Sequence, residues 1–168
     1  TDLATLTVLG SQALTLSDGD TGFGNVETVD ASGMTVEAGS AAATVDLVAN
    51  DEDITVTGSG GDDNFEFDQA QFDANDSVDG GEGTDTLTLS FADGGNATYN
   101  TDISEAVSNV EAVAVSTTGD GTADTHTLDV EATGLSVTQL TVDVAEDADD
   151  NVVLDDINAD STITVNSD

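Results

Sequence analysis

A three-residue pattern, apolar–polar–apolar, recurs along the whole chain and limits its fold more than any other feature. With a central Thr it occurs as Leu6-Thr7-Val8, Leu14-Thr15-Leu16, Ile54-Thr55-Val56, Leu87-Thr88-Leu89 and Ile163-Thr164-Val165. With a central acid it occurs as Phe65-Glu66-Phe67, Leu128-Asp129-Val130 and Val142-Asp143-Val144. Period-two alternation puts the apolar pair on one face of a strand and the polar residue on the other. β-Branched Thr, Val and Ile suit a pleated surface. Clusters of Gly, Asp, Asn and Ser separate the triplets and supply turn chemistry. Helical periodicity is nearly absent. Many short strands at close spacing predict an all-β sandwich, barrel or solenoid.

A longer repeat overlies the triplets. Asn25-Val26-Glu27-Thr28-Val29 is echoed by Asn109-Val110-Glu111-Ala112-Val113, and Thr44-Val45-Asp46-Leu47-Val48-Ala49 by Thr127-Leu128-Asp129-Val130-Glu131-Ala132. Leu14-Thr15-Leu16-Ser17 precedes the first set and Leu87-Thr88-Leu89-Ser90 the second. Matching blocks in the same order predict one domain over residues 1–168, made of two degenerate copies, about 1–84 and 85–168. Such a pattern belongs to stacking architectures and tandem arrays.

Charge sets the second constraint. The chain has 36 Asp and Glu, no Lys or Arg and one His, for a formal charge of -36. Self-repulsion of this size opposes compaction, and salt screens only beyond roughly 8 Å at physiological ionic strength. Yet hydrophobic residues make up 37% of the chain and fall in ordered patterns, so it does not read as disordered. The missing positive charge is expected from solution, as several Ca²⁺ ions, because hard divalent cations prefer oxygen ligands. Nucleic acid is excluded as a direct partner, since phosphate binding needs a basic footprint. Cysteine is absent, which rules out disulfides and thiolate-metal sites. No apolar run reaches the roughly 20 residues of a membrane span, and no signal-peptide pattern opens the chain. A calcium-rich exterior suits such a chain, so an extracellular or cell-surface location is expected.

One stretch names the ion chemistry. Gly80-Gly81-Glu82-Gly83-Thr84-Asp85-Thr86-Leu87-Thr88 fits the calcium-binding nonapeptide G-G-x-G-x-D-x-U-x at every specified position. Glycines let carbonyls turn toward an ion, Asp85 supplies a charged oxygen, and Leu87 drops into a core. A weaker copy, Gly58-Ser59-Gly60-Gly61-Asp62-Asp63-Asn64-Phe65-Glu66, has Ser59 at the second Gly position. The copies start 22 residues apart, near the 18 of two stacked turns, with an insertion from Asp68 to Asp79 that carries Asp73, Asp76 and Asp79. Candidate metal residues are Gly58, Gly60, Gly61, Asp62, Asp63, Asp76, Asp79, Gly80, Gly81, Gly83 and Asp85. Asp18 and Asp20, spaced around Gly19, are added to them.

Gly58 to Phe67, Gly80 to Ser90 and the Val107-Ser108-Asn109-Val110-Glu111 block resemble the RTX-type calcium-binding proteins of bacteria, and more narrowly their surface-layer and biofilm-matrix relatives. The resemblance covers about residues 50–118. It implies an extracellular parallel β-roll with calcium between successive turns. The expected fold is therefore a calcium-stabilised parallel β-solenoid of β-roll type, with a calcium-binding β-sandwich as the alternative.

The expected role is structural and not enzymatic: a subunit that assembles with itself, in the presence of calcium, into a surface layer or matrix fibre. An adhesin or glycan-binding module, or the secretion and folding domain of an RTX enzyme, are the alternatives. The chain has no Trp and one Tyr, which supplies a sugar-stacking platform poorly. His126 has no second His, Cys or Ser-based constellation and reads as a surface residue. Met34, Phe23, Phe72 and Phe91 read as core or turn packing.

Overall fold

The triplets become short strands that stack in parallel columns. The computed structural model describes residues 3–17, 25–47, 53–68, 72–73, 75–91, 98–102, 106–117, 125–129, 138–144, 151–155 and 160–167. A five-stranded sheet has the order β1 (Thr5–Gly10), β3 (Thr28–Met34), β5 (Thr55–Thr57), β7 (Ser77–Asp79) and β10 (Val107–Ser108). A seven-stranded sheet has the order β15 (Thr162–Ser167), β13 (Gln139–Val144), β11 (Ala112–Thr117), β8 (Thr86–Phe91), β6 (Asp62–Asp68), β4 (Ala41–Asp46) and β2 (Leu14–Ser17). A three-stranded sheet has the order β14 (Asn151–Asp155), β12 (Thr125–Asp129) and β9 (Thr98–Asp102).

Every pairing in the three sheets is parallel. Parallel neighbours need a long crossover between them. Here the crossover is itself strand, because the chain visits another sheet before it returns one strand further along. The result is a β-solenoid, not a sandwich. No helix occurs among the described residues, and so none long and apolar enough to cross a membrane.

Register partners give the coil length directly. Asn64 pairs with Thr86, 22 residues on; Thr86 pairs with Ala112, 26 on; Gln139 pairs with Thr162, 23 on. Strand register is kept while the connections absorb the difference. The two nonapeptides, expected two turns of nine apart with an insertion, thus lie on adjacent coils, one directly over the other. The supposed insertion is the stretch of the coil that crosses through β7.

Alternation decides what enters the core. In β6 the inward residues are Asp63, Phe65 and Phe67, and in β8 they are Leu87, Leu89 and Phe91. The apolar ones join Val29, Val56 and Val78 of the five-stranded sheet and Leu128 of the three-stranded sheet in one hydrophobic cluster. Phe67 meets Phe72 edge to face, with ring centroids 4.9 Å apart. Met34, Phe72 and Phe91 are buried as expected, while Phe23 lies outside the described residues. The blocks of the long repeat start strands in different sheets: Asn25 to Glu27 leads into β3, and Asn109 to Glu111 leads into β11.

The column of core residues reaches solvent at its end. Leu140 and Val142 in β13 are 1% and 2% exposed, whereas their β15 partners Ile163 and Val165 are 44% and 63% exposed. Leu14 of β2, at the other edge of the same sheet, is also exposed.

Candidate metal centre

An acid occupies the inward position just before the apolar pair in three successive coils. The series run Asp63-Phe65-Phe67, Asp85-Leu87-Leu89 and Glu111-Val113-Val115, each with a spacing of two. Strand alternation therefore aims each carboxylate at the interior, beside the core. Asp63 and Asp85 are buried and Glu111 half-buried; a carboxylate withdrawn from water needs partners, and each of the three finds a backbone N–H on the preceding coil. Ala43 N donates to Asp63 Oδ1 at 2.6 Å. Asp63 N donates to Asp85 Oδ1 at 2.8 Å. Asp85 N donates to Glu111 Oε2 at 2.9 Å. The acids form a ladder along the solenoid axis, and each rung ties one coil to the next.

The two nonapeptide acids differ in their second oxygen. Asp63 Oδ2 accepts from Ser59 N at 2.7 Å and Ser59 Oγ at 3.0 Å. In the next coil Gly81 stands where Ser59 stood, so the hydroxyl is gone. Gly81 N donates instead to Asp79 Oδ1 at 3.2 Å. Asp85 is 0% exposed, and its Oδ2 is buried with no hydrogen-bond partner. Burial above all pushes the Asp85 carboxyl up to about 7. The hydrogen bond from Asp63 N opposes this, and the neighbouring carboxylates Asp63, Glu111 and Asp62 add to it.

A main-chain oxygen lies near that orphan. A Cβ on Gly80 would collide with the Asn109 carbonyl and stand 2.6 Å from Asp85 Oδ2, so both oxygens crowd one point that only a glycine leaves open. Asn109 has a positive φ of 52°, the left-handed conformation that Asn tolerates. The preceding coil repeats the arrangement, with Gly58 beside the Gly80 carbonyl and Asp63 Oδ2. A buried, unpaired carboxylate oxygen near a main-chain carbonyl is a donor set that suits a hard cation. Asp85 and the Asn109 carbonyl are the groups that would hold it. Among the described residues no three Asp, Glu, His or Cys side chains gather as a ready metal cluster, so main-chain oxygens and water would complete the shell.

The other sequence candidates divide into separate sets. Asp62 Oδ1 accepts from Gly39 N at 3.1 Å and from Thr84 N at 2.9 Å, which staples the coils on either side of it. Asp79 Oδ1 accepts from Asn109 Nδ2 at 2.7 Å. Gly61 N donates to Ser59 Oγ at 3.1 Å, and Gly60 sits in the same turn. Gly81 and Gly83 adopt φ of 98° and 136° in the turn that precedes Asp85. Asp76 belongs elsewhere, at the start of the five-stranded sheet's β7. Its Oδ1 accepts from Ile54 N at 2.9 Å and its Oδ2 from Asp73 N at 2.7 Å. Burial raises its pKa, against those two bonds and with Asp73 and Asp53 adding to it. Asp18 and Asp20 lie outside the described residues.

Sequence reasoning missed Glu111 and Asn109 as site residues. The signal was present, because the period of two that defines Val113 and Val115 extends back to Glu111. Fold and site define a parallel β-solenoid with an internal carboxylate ladder. Comparison with protein-family models, with curated proteins and with solved structures finds no match to this chain.

Proposed function

We propose that this chain is an extracellular structural subunit, a calcium-stabilised solenoid that assembles with its own copies into a surface layer or matrix fibre. The observation that carries the reading is Asp85 Oδ2, a carboxylate oxygen buried without a partner in a chain that has no Lys or Arg to offer one. A divalent ion there replaces repulsion among Asp62, Asp63, Asp85 and Glu111 with attraction. It also fixes the turn that sets one coil on another. An ion that binds only the folded chain adds about 2.7 kcal/mol per independent site at 100-fold excess over Kd. Among the described residues β2 and β15 each have a neighbour on one side only in the seven-stranded sheet, which supports the assembly half of the reading.

Circular dichroism and thermal melting, with calcium and with EGTA at low ionic strength, test the ion. A melting temperature that rises with calcium and falls in EGTA is expected; identical curves overturn the ion's role. Light scattering across a calcium titration tests assembly. Growth with calcium is expected, and a monodisperse monomer at high protein concentration overturns it.

A further inference from the structure

We propose that the β15 edge of one copy receives the β2 edge of a second copy in parallel, with Ile163 opposite Leu14, Thr164 opposite Thr15 and Val165 opposite Leu16. This rests on the assembly reading above and specifies its contact. The two edges belong to the same seven-stranded sheet and lie at its opposite ends. A second copy moved along the solenoid axis therefore brings β2 to β15 without reversing strand direction, and the sheet continues unbroken.

The register follows from which face each residue occupies. Leu14 and Leu16 pair with the buried Ala43 and Val45, so they face the core column. Ile163 and Val165 pair with the buried Leu140 and Val142, so they face the same column. A slip of one residue would turn one strand's apolar pair outward. A slip of two would leave one apolar residue of each pair without its match. Only the stated register sets both pairs together. The interior of the sheet already contains this contact, where Leu87-Thr88-Leu89 of β8 lies on Val113-Ala114-Val115 of β11.

Charge permits this contact. The chain has 36 carboxylates, yet neither Leu14–Ser17 nor Thr162–Ser167 contains one. Neither strand carries proline, lysine or an inward charge, the usual devices that blunt an edge. The contact is heterologous, so the incoming copy presents a fresh β15 edge and growth does not close on itself.

The chain has no cysteine, which allows a direct test. Parallel neighbours lie roughly 4.8 Å apart, within the roughly 4.4–6.8 Å that a disulfide spans between Cα atoms. Single-cysteine variants Thr15→Cys and Thr164→Cys are mixed in millimolar calcium, oxidised mildly and resolved without reductant. The expected product is the mixed dimer, with homodimers of either variant minor. A second variant, Val165→Asp, is expected to lose all species larger than the monomer while its circular dichroism stays that of the parent. If oligomers form but cross-link homotypically, or grow despite Val165→Asp, this contact is overturned and self-assembly stands. If light scattering finds no oligomer of the parent chain, self-assembly fails and this contact fails with it.

Discussion

Asp63 and Asp85 are 22 residues apart in sequence and one coil apart in space, joined by a bond from the Asp63 amide to Asp85 Oδ1 at 2.8 Å. One acid is thus donor through its backbone and acceptor through its side chain, within a ladder that runs from Ala43 to Glu111. Loss of a rung removes a bond between coils as well as a charge. Substitutions that keep the acceptor and drop the charge therefore differ in effect from those that remove both.

Asp85→Asn keeps the acceptor for Asp63 N and replaces the orphan Oδ2 with an amide donor close to the Asn109 carbonyl. An unsatisfied buried polar group costs about 1–3 kcal/mol. In EGTA the variant is expected to be more stable than the parent, by a similar amount. In calcium the order reverses, because the neutral amide is a poorer ligand than the carboxylate. Thermal melts of both proteins in both conditions check this. A variant less stable than the parent in EGTA, or one with an undiminished calcium response, would contradict the role given to Oδ2.

Acidity gives the same residue a second signature. Burial raises the folded pKa of Asp85 to about 7, above the roughly 3.9 of an unfolded Asp. Between those values the folded state binds a proton that the unfolded state has lost, so metal-free stability falls as pH rises. The contribution is complete below about pH 4 and gone above about pH 7. Other carboxylates add slopes of their own, so the informative quantity is the difference between the parent and Asp85→Asn. That difference is expected to widen from pH 4 to pH 7 and to level off above it. A difference that does not change with pH in EGTA would show that Asp85 titrates as an ordinary surface acid.

Glycine substitutions separate close approach from backbone conformation. Gly39 has a φ of 80° with open space where a Cβ would point, whereas a Cβ on Gly80 would strike the Asn109 carbonyl of the next coil. Gly39→Ala is expected to cost about 1–2 kcal/mol, the penalty of the left-handed conformation alone. Gly80→Ala has to push adjacent coils apart and should cost clearly more, with loss of calcium binding. Urea denaturation of both variants measures the gap, and equal midpoints would mean that the coils yield without cost.

The fold was legible where period two was long. Phe65-Glu66-Phe67 and Leu87-Thr88-Leu89 show their core faces in the sequence because nothing in a strand competes with that alternation. Parallel stacking was harder to read. Each coil's partner lies 20 to 29 residues away, as Val45 to Phe65 and Leu14 to Ala43 do, and connections of unequal length blur a repeat that the strands keep. The nonapeptide located Asp85 but not the difference between Asp85 and Asp63. That difference comes from Ser59 against Gly81, two residues distinguished by one hydroxymethyl group. Glu111 escaped because an acid before a strand looks like solvated turn chemistry until its neighbour across the coil is known.

Asp62 provides the test of what a carboxylate does in a chain without cations. Its Oδ1 accepts from Gly39 N and Thr84 N, so it joins coils on both sides through an oxygen and not through its charge. Asp62→Ala removes both bonds and is expected to cost about 1–2 kcal/mol, given that the site is partly solvated. Asp62→Asn can keep the same acceptor and turn its amide nitrogen outward. It also removes a negative charge that helps to raise the Asp85 pKa. Metal-free Asp62→Asn is therefore expected to match or exceed the parent in stability, with Asp85 titrating at lower pH. Melting in EGTA and the pH dependence of stability measure the two effects separately. If Asn and Ala destabilise equally in calcium but not in EGTA, Asp62 acts through its charge, as a ligand to an ion, and the staple is secondary.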